Sequence, residues 1–79
     1  MFLEIITPDK KVFEGEVTSV SVPGADGKFQ MLNNHAPIIS TLGKGKVKVK
    51  TAKETLEFNV KGGVVEMIKN KVVVLAESV

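Results

Sequence analysis

Between Lys46 and Lys61 every second residue is apolar apart from a short interruption: Val47 and Val49 alternate with Lys46, Lys48 and Lys50, and Leu56, Phe58 and Val60 alternate with Thr55, Glu57, Asn59 and Lys61. A period of two sorts side chains onto the two faces of an extended strand, whereas a helix would scatter them around its circumference. The two runs therefore form a hairpin with one wet face, turning near Thr51 to Glu54. Pairing Val49 with Leu56 sets Lys48 opposite Glu57, a favourable cross-strand pair.

The same period, with β-branched residues at the apolar positions, runs through most of the chain. Phe2 to Thr7 reads as a strand closed by Pro8-Asp9, and Lys11 to Glu14 resumes extended structure, with Gly15 permitting a bend or bulge. Glu16 to Val22 continues the pattern, but Val17 is out of phase with Val20 and Val22, so a bulge near Thr18 is expected. After the Pro23 to Gly27 turn come strands over Lys28 to Leu32 and Ala36 to Leu42, the second ended by Gly43-Lys44-Gly45. Gly62-Gly63 allows a sharp corner. Val64 to Ile68 and Lys71 to Ala76 form a last hairpin across Lys69-Asn70; their near-continuous hydrophobicity predicts a central position with both faces partly covered. No segment has helical periodicity. So many short strands with apolar faces cannot be buried on one flat sheet, which predicts an all-β fold, a flattened β-sandwich of about 8–10 short, mainly antiparallel strands in two sheets.

With 79 residues the chain has room for one core, so residues 1–79 make a single domain. It has no Cys and one His, which excludes a disulfide, a thiol nucleophile and a structural zinc cluster. The longest apolar runs fall far short of the roughly 20 residues of a bilayer-spanning helix. The first residues lack the basic segment and apolar stretch of a signal peptide, so a cytoplasmic location is expected. All eleven cationic residues are Lys, none is Arg, and the four Phe are not interleaved with them, which argues against a nucleic-acid partner.

The chemical inventory is equally poor. His35 has no carboxylate among its sequence neighbours, and Ser40 lies five residues away on the next strand, which argues against a nucleophile and base pair. Glu14 and Glu16 read as solvated charges at a turn. Asp26-Gly27 is a turn pair without the further carboxylates of a calcium loop, and Gly24 and Gly27 precede no helix that could cradle phosphate. No enzyme activity and no cofactor are expected. Two surfaces are candidates for partners: the series Lys44, Lys46, Lys48 and Lys50, which also suits a merely solvated strand, and the loop from Asp26 to His35.

Several segments together resemble a known family. They are Leu3-Glu4-Ile5 with Thr7-Pro8, Val12-Phe13-Glu14-Gly15-Glu16-Val17, Val22-Pro23-Gly24 with Gly27, Asn34-His35-Ala36-Pro37, Val60 to Glu66 and Val72 to Glu77. In this order and spacing they resemble the amino-terminal domain of the epsilon subunits of F-type ATP synthases. The resemblance implies a non-catalytic rotor subunit at the foot of the central stalk. Such a subunit joins the gamma subunit to the c ring and supports coupling of proton translocation to ATP synthesis. It also implies peripheral membrane association through the complex, on the cytoplasmic face of the bacterial inner membrane. Carried over by position, Asp26, Gly27, Lys28, Phe29 and Gln30 map to the c-ring contact, and His35, Ala36 and Pro37 to the gamma contact. Departures from the family pattern are Lys28 where acidic residues are frequent, Gln30 where Gly is usual and Asn33 where Pro is frequent. The sequence ends at Ser78-Val79, where family members commonly continue into a helical hairpin that restrains ATP hydrolysis; a short form without it is the expectation. The alternative is a free-standing β-sandwich adaptor using the lysine face.

Overall fold

The alternating segments become nine strands in a computed structural model that describes residues 1–78. They are β1 (Phe2–Ile6), β2 (Lys11–Glu16), β3 (Ser19–Gly24), β4 (Gly27–Leu32), β5 (Ile38–Leu42), β6 (Gly45–Lys50), β7 (Thr55–Val60), β8 (Gly63–Ile68) and β9 (Lys71–Ala76). One layer runs β2-β1-β9-β8-β5, and the other contains β4, β3, β6 and β7. All neighbours are antiparallel except β1 and β9, which pair in parallel from Phe2 opposite Lys71 to Ile6 opposite Leu75.

The two expected sheets are joined. A single pair, Gly24 opposite Leu42, links β3 to β5, so the sandwich is one curled sheet folded on itself. The seam is reinforced by Ala25 N–H donating to the Thr41 carbonyl (2.9 Å) and Gly43 N–H to that of Pro23 (2.7 Å). Opposite the seam, Phe13 of β2 and Phe58 of β7 meet with ring centroids 5.9 Å apart. Between the layers, Leu3, Ile5, Val20, Val22, Met31, Val47, Val49, Val65, Val72 and Val74 are fully buried. Each such side chain contributes roughly 1.5–3 kcal/mol of burial free energy.

Both predicted hairpins are present. Val49 faces Leu56 and Lys48 faces Glu57, with Thr51 Oγ1 accepting from Lys53 and Glu54 N–H in the turn. Lys69 and Asn70 take φ of 50° and 63°, the left-handed pair of a tight hairpin turn, and β8 and β9 lie inside their layer.

Four local expectations change. Gly15 makes no bend; it sits within β2 opposite Leu3, and the irregularity falls between Ile5 and Ile6. The phase error at Val17 is not repaired by a bulge, because the chain leaves β2 at Glu16, crosses layers at Val17-Thr18 and starts β3 at Ser19. Val17 turns inward at that crossing, its N–H bonded to the Met1 carbonyl. β5 begins at Ile38 rather than Ala36, since Pro37 lacks an N–H for the ladder. Finally, β8 and β9 are covered on one face only.

Candidate functional site

Asp26 lies at the tip of the β3–β4 turn, where Gly24 opposes Gly27. Phe29 folds back over Gly24: a Cβ there would stand 2.8 Å from the Phe29 ring and 2.6 Å from the Gly27 carbonyl oxygen, so only glycine fits. Phe29 and Met31 turn inward and Lys28 and Gln30 outward. The turn therefore presents Asp26, Gly27, Lys28 and Gln30 to solvent on a base held by the inter-layer seam, with Phe29 half-buried beneath.

His35, Ala36 and Pro37 stand at the opposite end of β4. The five steps from Gly27 to Leu32 span about 17 Å, so the Asp26–Gly27 tip and the His35 segment lie at opposite ends of β4, with Phe29 and Gln30 partway along the strand between them. His35, Ala36 and Pro37 are all exposed. The His35 Nδ1 lies 2.7 Å from the Ala36 carbonyl, which only accepts, so Nδ1 carries the proton. Ser40 Oγ donates to the Thr41 carbonyl (3.2 Å), not to His35.

Side chains to which the sequence assigned no such role order this end. The Met1 α-ammonium donates to Asn33 Oδ1 (2.8 Å) and pairs with Glu16 Oε2 (3.2 Å). Asn70 Oδ1 accepts from Asn34 N–H (2.8 Å), while its carbonyl accepts from Phe2 N–H (3.1 Å). Only the turn-forming character of Asn33-Asn34 and Asn70 hinted at this in the sequence.

A second feature was hidden by the hydrophobicity of β8 and β9. Ile39 (70% exposed), Ile68 and Leu75 (each 52%) and Val64 (39%) share the outer face of β5, β8 and β9, in rows Ile39-Glu66-Val73 and Thr41-Val64-Leu75. A shallow groove of about 400 Å³ continues from Leu75 past Ala76 and Glu77 to Ile6, Thr7 and Pro8. Pro37 leads directly into β5, so the apolar face adjoins the His35 to Pro37 segment. Exposed apolar faces of this extent mark places where a partner docks.

The same layer carries an ion-pair cluster. Glu4 accepts from Lys71 Nζ (3.0 Å) and Lys11 Nζ (3.1 Å), and Lys11 also reaches Glu14 (3.2 Å). Hydrogen bonds from Lys71 and then Lys11 hold the Glu4 carboxyl below the usual carboxylate range; Glu4 and then Glu14 push Lys11 up.

The chain is a curled β-sandwich with an exposed apolar face on one of its layers, a binding-domain architecture. The chain belongs to the ATP synthase delta/epsilon chain family: the model of that family's β-sandwich domain matches residues 1–79. It is 44% identical over 78 residues to the ATP synthase epsilon chain of Chlorobium limicola, covering 98% of this chain and 89% of that one. It is also 44% identical over 77 residues to the epsilon chain of Maridesulfovibrio salexigens, of which it spans about half (54%). Among solved structures, a chain of the Euglena gracilis mitochondrial ATP synthase OSCP/F1/c-ring assembly superposes with a TM-score of 0.89 at 16% identity, over 96% of this chain and 49% of that one. One from the Tetrahymena thermophila mitochondrial ATP synthase central stalk and c-ring gives 0.79 at 18%, over 95% and 61%. At these identities the likeness is one of fold. No helix among the described residues is long and apolar enough to cross a membrane.

Proposed function

We propose that this chain is a non-catalytic central-stalk subunit of an F-type ATP synthase. It links the gamma subunit to the c ring and turns with both, supporting the coupling of proton translocation to ATP synthesis. It works as a peripheral component of the catalytic sector at the cytoplasmic face of a bacterial inner membrane. The observation that carries this reading is the separation of two exposed ends on one stiff body in a chain of the delta/epsilon family. The Asp26 to Gln30 turn meets the polar loops of the c ring. His35, Ala36 and Pro37, continuous with the apolar face of Ile39, Val64, Ile68 and Leu75, meet gamma. Torque passing between two partners needs a body that does not bend, and a short-stranded sandwich with a closed core supplies it.

Co-expression with gamma from the same genome, followed by size-exclusion chromatography with mass detection, tests the reading. A one-to-one complex is expected. Separate elution of two folded proteins, unrelieved by adding the c ring, would replace it with the free-standing adaptor.

A further inference from the structure

Four glutamates lie on the strands of the β2-β1-β9-β8-β5 layer, and three of them face a cation: Glu4 has Lys71 and Lys11, Glu14 has Lys11, and Glu16 has the Met1 ammonium. Among the described residues Glu66 of β8 has no cation within ion-pair distance. Its neighbours on the outer face are all apolar: Val64 and Ile68 two residues away along its own strand, Ile39 opposite it on β5 and Val73 opposite it on β9. The carboxylate is exposed and stands in the middle of the apolar face. With Pro37, Ile38, Ile39, Met67 and Ile68 it lines a shallow groove of about 240 Å³ between β5 and β8, in which no other lining residue is ionisable.

On the free protein water solvates this carboxylate. A partner pressed onto Ile39, Val64 and Ile68 strips that water away, and a carboxylate left with nothing opposite it would cancel much of what the apolar contact gains. We infer that the groove receives one basic side chain of gamma, an arginine by preference, and that Glu66 fixes the register in which gamma docks. An aliphatic stem suits the Ile39 and Ile68 walls, and a weakly hydrated guanidinium fork suits the carboxylate beside them. A second copy of this chain is a poor occupant, because a two-fold contact centred on the face brings two Glu66 carboxylates together. The inference rests on the central-stalk reading for the identity of the partner and adds the chemistry of its surface: apolar, with one cation set into it.

Titration calorimetry of the full chain with gamma tests this through Glu66→Gln, with Glu54→Gln, an exposed glutamate in the β6–β7 turn, as the control for net charge. The sign of the change decides. With a cation opposite, the neutral amide leaves that cation buried and unpaired, so affinity should fall at least about tenfold, while Glu54→Gln leaves it within about twofold. Unchanged or tighter binding by Glu66→Gln, the result of removing a charge that only costs desolvation, overturns the inference. Glu66→Lys should weaken binding about a hundredfold or more, and changing the arginines and lysines of gamma to Glu one at a time should find one position that restores it. A scan with no restoring position also overturns it. The chain alone should elute as a monomer; a dimer broken by Ile39→Asp would give the face to a second copy instead. Failure of gamma to bind the unchanged chain removes the central-stalk reading, whereas gamma bound equally by the unchanged chain and Glu66→Gln removes the basic occupant of the groove and leaves that reading standing.

Discussion

Gly63 begins β8 with φ of +144°, and a Cβ on it would overlap the carbonyl oxygen of Leu75 on β9. Gly15 has an ordinary backbone, and the nearest atom to its would-be Cβ is the Phe13 ring edge at 3.5 Å. Gly63→Ala should therefore cost more than about 2 kcal/mol, and Gly15→Ala less than about 1 kcal/mol. Urea midpoints of the two variants decide it; similar losses would remove the argument from backbone strain. Glu4, partly buried on β1, answers to pH. Its carboxyl is held below the usual range by Lys71 and Lys11, so its contribution is present above the ordinary carboxylate pKa and fades as pH falls through the lowered value. Lys11, pushed up by Glu4 and Glu14, contributes below the ordinary lysine range and loses that contribution as pH rises through its raised value. Urea titrations across acid pH should show a shallower stability loss for Glu4→Gln than for the unchanged chain. Identical slopes would mean that solvent screens the cluster completely.

Like β2 and β7, β4 has a single neighbour in the sheet. It pairs with β3 alone, and its inward anchors are the fully buried Met31 and the half-buried Phe29. Met31→Ala should cost about 2–5 kcal/mol. In hydrogen exchange, the amides of β4 and the Asp26 turn should lose protection before those of β8 and β9. Uniform loss would mean that β4 unfolds only with the whole. The strands also separate what the sequence made legible from what it did not. β6–β7 and β8–β9 could be read directly, because a short turn fixes the register of two alternating runs. The pairings β1–β9, β3–β6 and β5–β8 join segments distant in sequence, and no local pattern marks them. Val17 looked misplaced because a change of layer and a bulge leave the same trace in the alternation. Val64, Ile68 and Leu75 read as buried because hydrophobicity reports affinity for an apolar neighbour, not whether that neighbour belongs to the same chain. The family motifs carried the candidate contacts at Asp26 to Gln30 and His35 to Pro37; they carried nothing of Ile39, which lies just beyond the last of them.

At the scale of the molecule, two layers that share one core differ on their outsides: β5, β8 and β9 expose several large apolar side chains, and β6 exposes a row of lysines. Ile39 is the most exposed large apolar side chain of the first. Ile39→Asp should leave the urea midpoint within about 0.5 kcal/mol of the unchanged chain, since the residue has little to lose on the free protein. Its affinity for gamma, measured by titration calorimetry, should fall at least about tenfold. Unchanged affinity would detach the apolar face from the gamma contact. The parallel pairing of β1 with β9 also has a bearing on how the protein is made. During synthesis β1 has no inner neighbour until β9 has emerged, and β8 waits for the same strand. Translation therefore releases a chain that cannot complete one layer piecemeal; it folds after β9 is delivered, over long-range contacts that form slowly. Any fragment ending before Lys71 leaves β1 and β8 with bare edges. A stalled or prematurely terminated nascent chain is then a substrate for chaperones and proteases, and only a finished domain is available for assembly.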